Sequence, residues 1–201
     1  SKSNTLLFSV RKKKQKKSRR YIPAHIPLEV LFEEIRKMDI HYVILRWFDD
    51  LPNVDDGEDL DVLVADGDVE EIEKIFEKFP GILPVDLYSV SGLQGTSHRG
   101  ISYYPPEFAK KVLDSRLLVN THFFVPNTEM HFYSLSYHAL YHKGFDSGIR
   151  SEFMQKNVQA DHNYTEVLRN LSKKLTIDSD ITLEKLHNLL EGKDFSPSKD
   201  L

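Results

Sequence analysis

The segment Gly57-Glu58-Asp59-Leu60-Asp61-Val62-Leu63-Val64 constrains this chain more than any other stretch of it. Its polar and apolar residues alternate with a period of two, which is the pattern of a strand. Successive side chains on a strand turn to opposite faces, so Leu60, Val62 and Val64 share one face while Asp59 and Asp61 share the other. Aspartate is depleted in strands, and two of them on one face are a costly choice for a surface that only meets water. A half-buried strand whose acids face solvent is the simplest alternative to a site.

The flanking sequence places this strand in an alternating architecture. Pro27 opens a predicted helix with Leu28, Leu31, Phe32, Ile35 and Met38 on one face, and His41–Arg46 follows as a short strand. A polar loop from Asp49 to Gly57 leads into the strand Asp59–Ala65. Gly67 and Asp68 start a second helix with the stripe Val69, Ile72, Ile75, Phe76 and Phe79, which Pro80-Gly81 ends. A third strand spans Ile82–Val90 and carries Asp86. The loop 91–100 comes next, then a helix from Pro105-Pro106 to about Ser115 and a strand Leu117–Val125. Beyond Pro126 the pattern is helical, at 128–142, 150–158, 161–174 and 181–191. The expected fold is therefore α/β (α+β): a mixed sheet with flanking helices in residues 23–126, and a helical subdomain in 127–201.

The 201 residues contain no cysteine, which excludes disulfides and thiolate metal sites. A metal would be held by oxygen or imidazole, favouring Mg²⁺, Mn²⁺ or Ca²⁺. No apolar run has the length of a membrane span and no signal peptide is recognisable, so a cytoplasmic location is expected. The charge is segregated. Residues 11–20 hold eight of the 27 basic residues, whereas residues 21–201 carry 18 basic against 31 acidic ones. Residues 1–22 are expected to be a disordered basic leader or linker, with a nucleic-acid tether, a membrane tether and an import signal as the functional alternatives. An acidic body argues against a duplex-binding surface, so nucleic acid is expected as a partner only through that leader. The ends of the chain suggest a portion of a longer protein with further domains.

Two carboxylates at i and i+2 on a strand lie close enough to share divalent ions, and a third on a neighbouring strand completes a ligand set. Nucleotidyl and phosphoryl transfer use such sets, because the ions neutralise the triphosphate and activate the attacking hydroxyl. Asp86, in Pro84-Val85-Asp86-Leu87-Tyr88, is placed to be the third ligand and to help deprotonate an acceptor. A glycosyltransferase Asp-x-Asp sits at the C-terminal end of its hydrophobic strand, which is not the order here. A calcium loop needs a register that Asp55, Gly57, Asp59 and Asp61 do not meet.

The order helix, strand, loop, Asp-apolar-Asp-apolar, helix, and strand with a third Asp resembles the DNA polymerase β-type nucleotidyltransferase superfamily. Tyr42–Pro52 followed by Glu58–Val64, together with Phe132–Gly144, resembles bacterial nucleotidyltransferase-like proteins of surface-polysaccharide biosynthesis. The resemblance covers about residues 28–145. It implies Mg²⁺ (or Mn²⁺) on Asp59, Asp61 and Asp86, and transfer of a nucleoside monophosphate to a small, glycan-related acceptor. The superfamily usually carries Gly-Ser or Gly-Gly at the end of its first strand, where this chain reads Leu45-Arg46-Trp47. Arg46 can replace those donors with a guanidinium fork suited to phosphate. The same departure keeps open a non-catalytic module that binds a sugar nucleotide or glycan within a larger protein.

Other groups are candidates for holding substrate. His138 and His142 lie at i and i+4 of a predicted helix, with Lys143 at its end as a candidate to contact anionic oxygens of a substrate and Tyr137 and Tyr141 beside them as core residues. Both histidines are candidates for substrate binding, and equally for hydrogen bonding at the core boundary. Arg99 in the Ser97–Gly100 loop is a candidate donor or a surface charge, and Trp47 can stack on a base or sugar or cover the core edge. Glu58 is expected to face away from the pair and has no assigned role.

Overall fold

The computed structural model describes residues 19–77, 81–153 and 158–197. Its centre is a four-stranded sheet built from β1 (Arg20–Ile22), β2 (Tyr42–Ile44), β3 (Leu60–Val64) and β4 (Leu83–Ser89), in the order β1-β4-β3-β2. β3 and β4 run parallel, joined by a 3₁₀ turn at Asp66–Asp68 and helix α2 (Val69–Ile75). β1 and β2 add to the two edges in the antiparallel sense. Helix α1 (Leu28–Lys37) precedes β2, and α3 (Pro106–Asp114) follows the loop after β4. A hairpin of β5 (Leu117–Val119) and β6 (Phe123–Val125) then leads into α4 (Thr128–Tyr137). Helices α5 (Tyr164–Lys174) and α6 (Leu183–Glu191) end the described chain.

The alternation of β3 divides the core in two. Leu60, Val62 and Val64 join Tyr42, Ile44, Val85 and Leu87 against α1, α2 and the hairpin. On the opposite face Leu63 joins Val43, Leu45 and Tyr88, and this face is covered by α3, α4, α5 and α6. The helices beyond Pro126 therefore share a core with the sheet. Asp61 and Asp86 lie on the helical face, at the end of it that the apolar side chains do not fill. No helix among the described residues is long and apolar enough to cross a membrane.

Several elements differ from the sequence expectation. Residues 1–18 of the basic leader, with Phe79 and Pro80, lie outside the described residues, but Arg20–Ile22 form an edge strand rather than leader. The expected strand 117–125 is a hairpin, because Asn120 and Thr121 both take positive φ (48° and 64°) and His122 N–H donates to the Val119 carbonyl. That is the geometry of a type I′ turn, which matches strand twist. The expected helix at 150–158 is absent from residues 150–153 and 158, while 154–157 lie outside the described residues. The helix expected at 128–142 is α-helical only to Tyr137 and continues as a π-helical turn over His138–Lys143. A widened turn of this kind is common where side chains must be re-aimed at a site.

A carboxylate-lined cleft on the helical face of the sheet

The cleft is built around β3 and β4. Their parallel register sets Asp61 opposite Asp86, and Asp59 lies just ahead of β3 at the lip. The N–H of Leu45 donates to the Asp61 carbonyl, continuing the β2–β3 ladder by one residue and bringing Arg46 alongside. Arg46 Nη2 meets Asp61 Oδ1 at 2.7 Å, with about 6% of either side chain exposed (6% and 7%). Arg46 Nη1 is buried and has no hydrogen-bond partner among the described residues. The guanidinium also lies 5.5 Å from the centre of the Tyr103 ring. Asp59 is a third exposed and pairs with Arg19 at 3.0 Å. Asp86 has the Tyr88 hydroxyl at 3.4 Å.

Burial pushes the Asp61 carboxyl up to about 7; Arg46 opposes this, and Asp59 and Asp86 reinforce it by like-charge crowding. Burial works against the charge on Arg46, but the Asp61 carboxylate outweighs it and holds the guanidinium firmly protonated. Two guanidinium groups, Arg46 on Asp61 and Arg19 on Asp59, thus face the group of three carboxylates.

The walls come from the helical part. His138, at the start of the π turn, takes the Tyr103 hydroxyl on Nδ1 at 2.6 Å and the Tyr164 hydroxyl on Nε2 at 3.2 Å. Burial first, and the nearby Arg46 second, hold this imidazole neutral, so one nitrogen donates and the other accepts. Lys143, at the end of the same turn, reaches Asp161 at 2.5 Å. Trp47 stacks on His162 with ring centres 4.0 Å apart, and His162 meets Glu58 at 3.2 Å. Together these residues enclose about 370 Å³. A second cleft of about 490 Å³ adjoins it across Trp47, Glu58, Asp59, Asp161 and His162, and extends to Asp49, Asp50 and Asp55.

Of the residues singled out in the sequence, Asp59, Asp61, Asp86, Arg46, Trp47, His138 and Lys143 line the inner cleft. His142 and Arg99 do not. His142 packs behind Tyr103, 4.1 Å between ring centres, and against His98 at 4.5 Å. Burial and His98 push His142 down to about 3, so it is a neutral boundary residue. Arg99 is exposed at the tip of its loop, and His98 from that loop lines the cleft in its place. Glu58 corrects the expectation that it faces away: it precedes β3, so strand alternation does not govern it. Asp161, His162 and Tyr164 were hidden because the helix expected from 161 begins at Tyr164. Asn163 caps it by accepting from the Glu166 N–H, and Asp161-His162 stay in the loop.

The carboxylate oxygens of Asp59, Asp61 and Asp86 suit a hard divalent ion, and imidazoles of His98, His138 and His162 also line the cleft. Eight carboxylates line the two adjoining clefts against Arg46 and Lys143. An anion entering such walls alone meets net repulsion, whereas a cation, or an anion accompanied by one, does not. No three His, Asp or Glu side chains among the described residues converge closely enough to form a ready-made metal site. Asp61 would first have to part from Arg46.

Fold and cleft define a mixed α/β protein with a carboxylate-lined site where its sheet meets a helical cap. No family model matches the chain, and neither characterised proteins nor solved structures give a match.

Proposed function

We propose that this cleft is the active site of a nucleotidyltransferase that moves a nucleoside monophosphate from a nucleoside triphosphate to a hydroxyl of a small, glycan-related acceptor. The observation that carries the reading is the gathering of Asp59, Asp61 and Asp86 along one cleft, with the buried Arg46 guanidinium among them. Such crowding is relieved by a divalent cation, and Mg²⁺ or Mn²⁺ held there would neutralise the triphosphate and acidify the acceptor hydroxyl. In the transfer, the acceptor oxygen bonds to the α-phosphorus, the bond to pyrophosphate breaks, and a carboxylate takes the hydroxyl proton. Asp86, which pairs with no basic side chain among the described residues and has the Tyr88 hydroxyl at 3.4 Å, is assigned that base role. Arg46 and Lys143 hold phosphate oxygens, and His138, fixed between two phenols, shapes the floor.

A second reading is favoured by the Arg46–Asp61 pair itself. A protein guanidinium already sits where the metal charge is needed, as expected of a non-catalytic module that binds a sugar nucleotide or glycan. Thermal unfolding with Mg²⁺ or Mn²⁺ and each nucleoside triphosphate separates the two. The transferase reading predicts a rise in Tm that needs metal and nucleotide together and disappears in Asp59→Ala/Asp61→Ala. A metal-independent response to a sugar nucleotide selects the second reading, and no response to metal or triphosphate in either protein ends the first.

A further inference from the structure

Arg46 is a buried cation with half of its fork unused. Nη2 is committed to Asp61 at 2.7 Å, while Nη1 is buried and has no hydrogen-bond partner among the described residues. An unsatisfied donor on a buried charged group costs more than an ordinary hydrogen bond yields, so the arrangement is not the best this guanidinium can make. It lines a cleft that also holds Lys143. The bidentate geometry of guanidinium and phosphate would satisfy both nitrogens at once.

The carboxylates supply the other half of the argument. Asp61 faces Asp86 across β3 and β4, and Asp59 stands two residues before it. Besides Arg46, the partly exposed Arg19 pairs with Asp59 at the lip, while Lys143 of the same cleft is paired with Asp161. Removing one partner of a buried pair leaves an uncompensated charge, which is why the site needs a cation even before any ligand arrives. A divalent ion on the carboxylates makes that service redundant and repels the guanidinium.

We infer that Arg46 is a placeholder cation, held by Asp61 until a divalent ion takes the carboxylate and then passed to a phosphate of the incoming nucleotide. This rests on the transferase reading above and adds a property to it: metal and nucleotide bind with positive coupling, because each favours the same displaced Arg46. The Arg46–Asp61 contact is a latch that keeps the site closed to metal alone and to nucleotide alone.

The test measures Mn²⁺ binding by electron paramagnetic resonance of the free ion, without nucleotide, in wild type, Arg46→Gln and Arg46→Lys. Arg46→Gln removes the charge and is expected to bind Mn²⁺ about tenfold more tightly than wild type, within the usual range for coupled sites. Arg46→Lys keeps the charge and is expected to stay close to wild type. Equal Mn²⁺ affinity in folded wild type and folded Arg46→Gln overturns the latch while leaving the metal site standing. Absence of Mn²⁺ binding in every protein, with or without a non-hydrolysable triphosphate, overturns the transferase reading as well. Because Arg46→Gln disrupts a buried pair, the arginine side-chain NMR resonances of wild type provide a second arm. Mg²⁺ with the non-hydrolysable triphosphate is expected to shift the Arg46 Nε–H, and an unmoved signal alongside shifted β3 amides contradicts the latch.

Discussion

Trp47 holds a left-handed backbone, φ 55°, directly after the residue that grips Asp61. For a residue with a Cβ this conformation costs about 1–2 kcal/mol relative to the ordinary right-handed one. The chain thus holds a backbone conformation that suits glycine with an indole attached. Trp47→Gly and Trp47→Ala both lose the stack on His162, but only glycine relieves the strain. Chemical denaturation is expected to find Trp47→Gly more stable than Trp47→Ala by about 1 kcal/mol. Asp61 gives a second test. Its carboxyl is raised from an ordinary 3.8 to about 7 by burial, against the pull of Arg46. Between those values the folded state keeps a proton that the unfolded chain has lost, so this group's contribution to stability falls as pH rises. Wild type is expected to lose stability relative to Asp61→Asn between about pH 4 and about pH 7, with no further divergence above that window. Asp61 and Asp86 were legible in the sequence because each lies within a strand, where side chains alternate strictly, while Asp59 sits one residue ahead of β3. Glu58 and His98 were not, since each lies in a loop where no periodicity reports which way a side chain turns.

At the scale of elements, strands β2, β3 and β4 and helices α1, α3, α5 and α6 could be read because their apolar stripes match their periods, whereas the edge strand β1 is too short and too close to the basic run to show one. Helix α4 is buried on nearly every side, from Met130 to Tyr137, and carries no such stripe. Its start is set instead by Asn127, whose side chain accepts from the Met130 N–H. Asn127→Ala is expected to cost about 1 kcal/mol in unfolding experiments, the usual loss of an N-cap. The change to a π turn at His138 had no signal in the sequence. It matters for the site, because in a regular helix His138 and His142 share a face, whereas here His138 and Lys143 reach the cleft and His142 does not. The hairpin was missed for a related reason: Asn120-Thr121 lacks the glycine that usually marks a type I′ turn.

Over the whole molecule, the helical cap and the sheet share one apolar cluster, and the cleft opens where that cluster gives way to carboxylates. Which face of the sheet the cap would cover was not readable from the chain, since local patterns say which face of an element is apolar but not what covers it. That closure brings Lys143, Asp161, His162 and Tyr164 to residues roughly a hundred positions earlier, and turns a carboxylate pair on a strand into an enclosed site. The most direct measurement is anomalous diffraction from crystals soaked with Mn²⁺ and a non-hydrolysable nucleoside triphosphate. The predicted result is a manganese peak bonded to Asp59 and Asp61, with the triphosphate beside it and Arg46 turned from Asp61 toward a phosphate. A nucleotide bound with Arg46 still on Asp61 and no metal at the carboxylates would contradict the assignment of this cleft as a metal-dependent nucleotidyltransferase site.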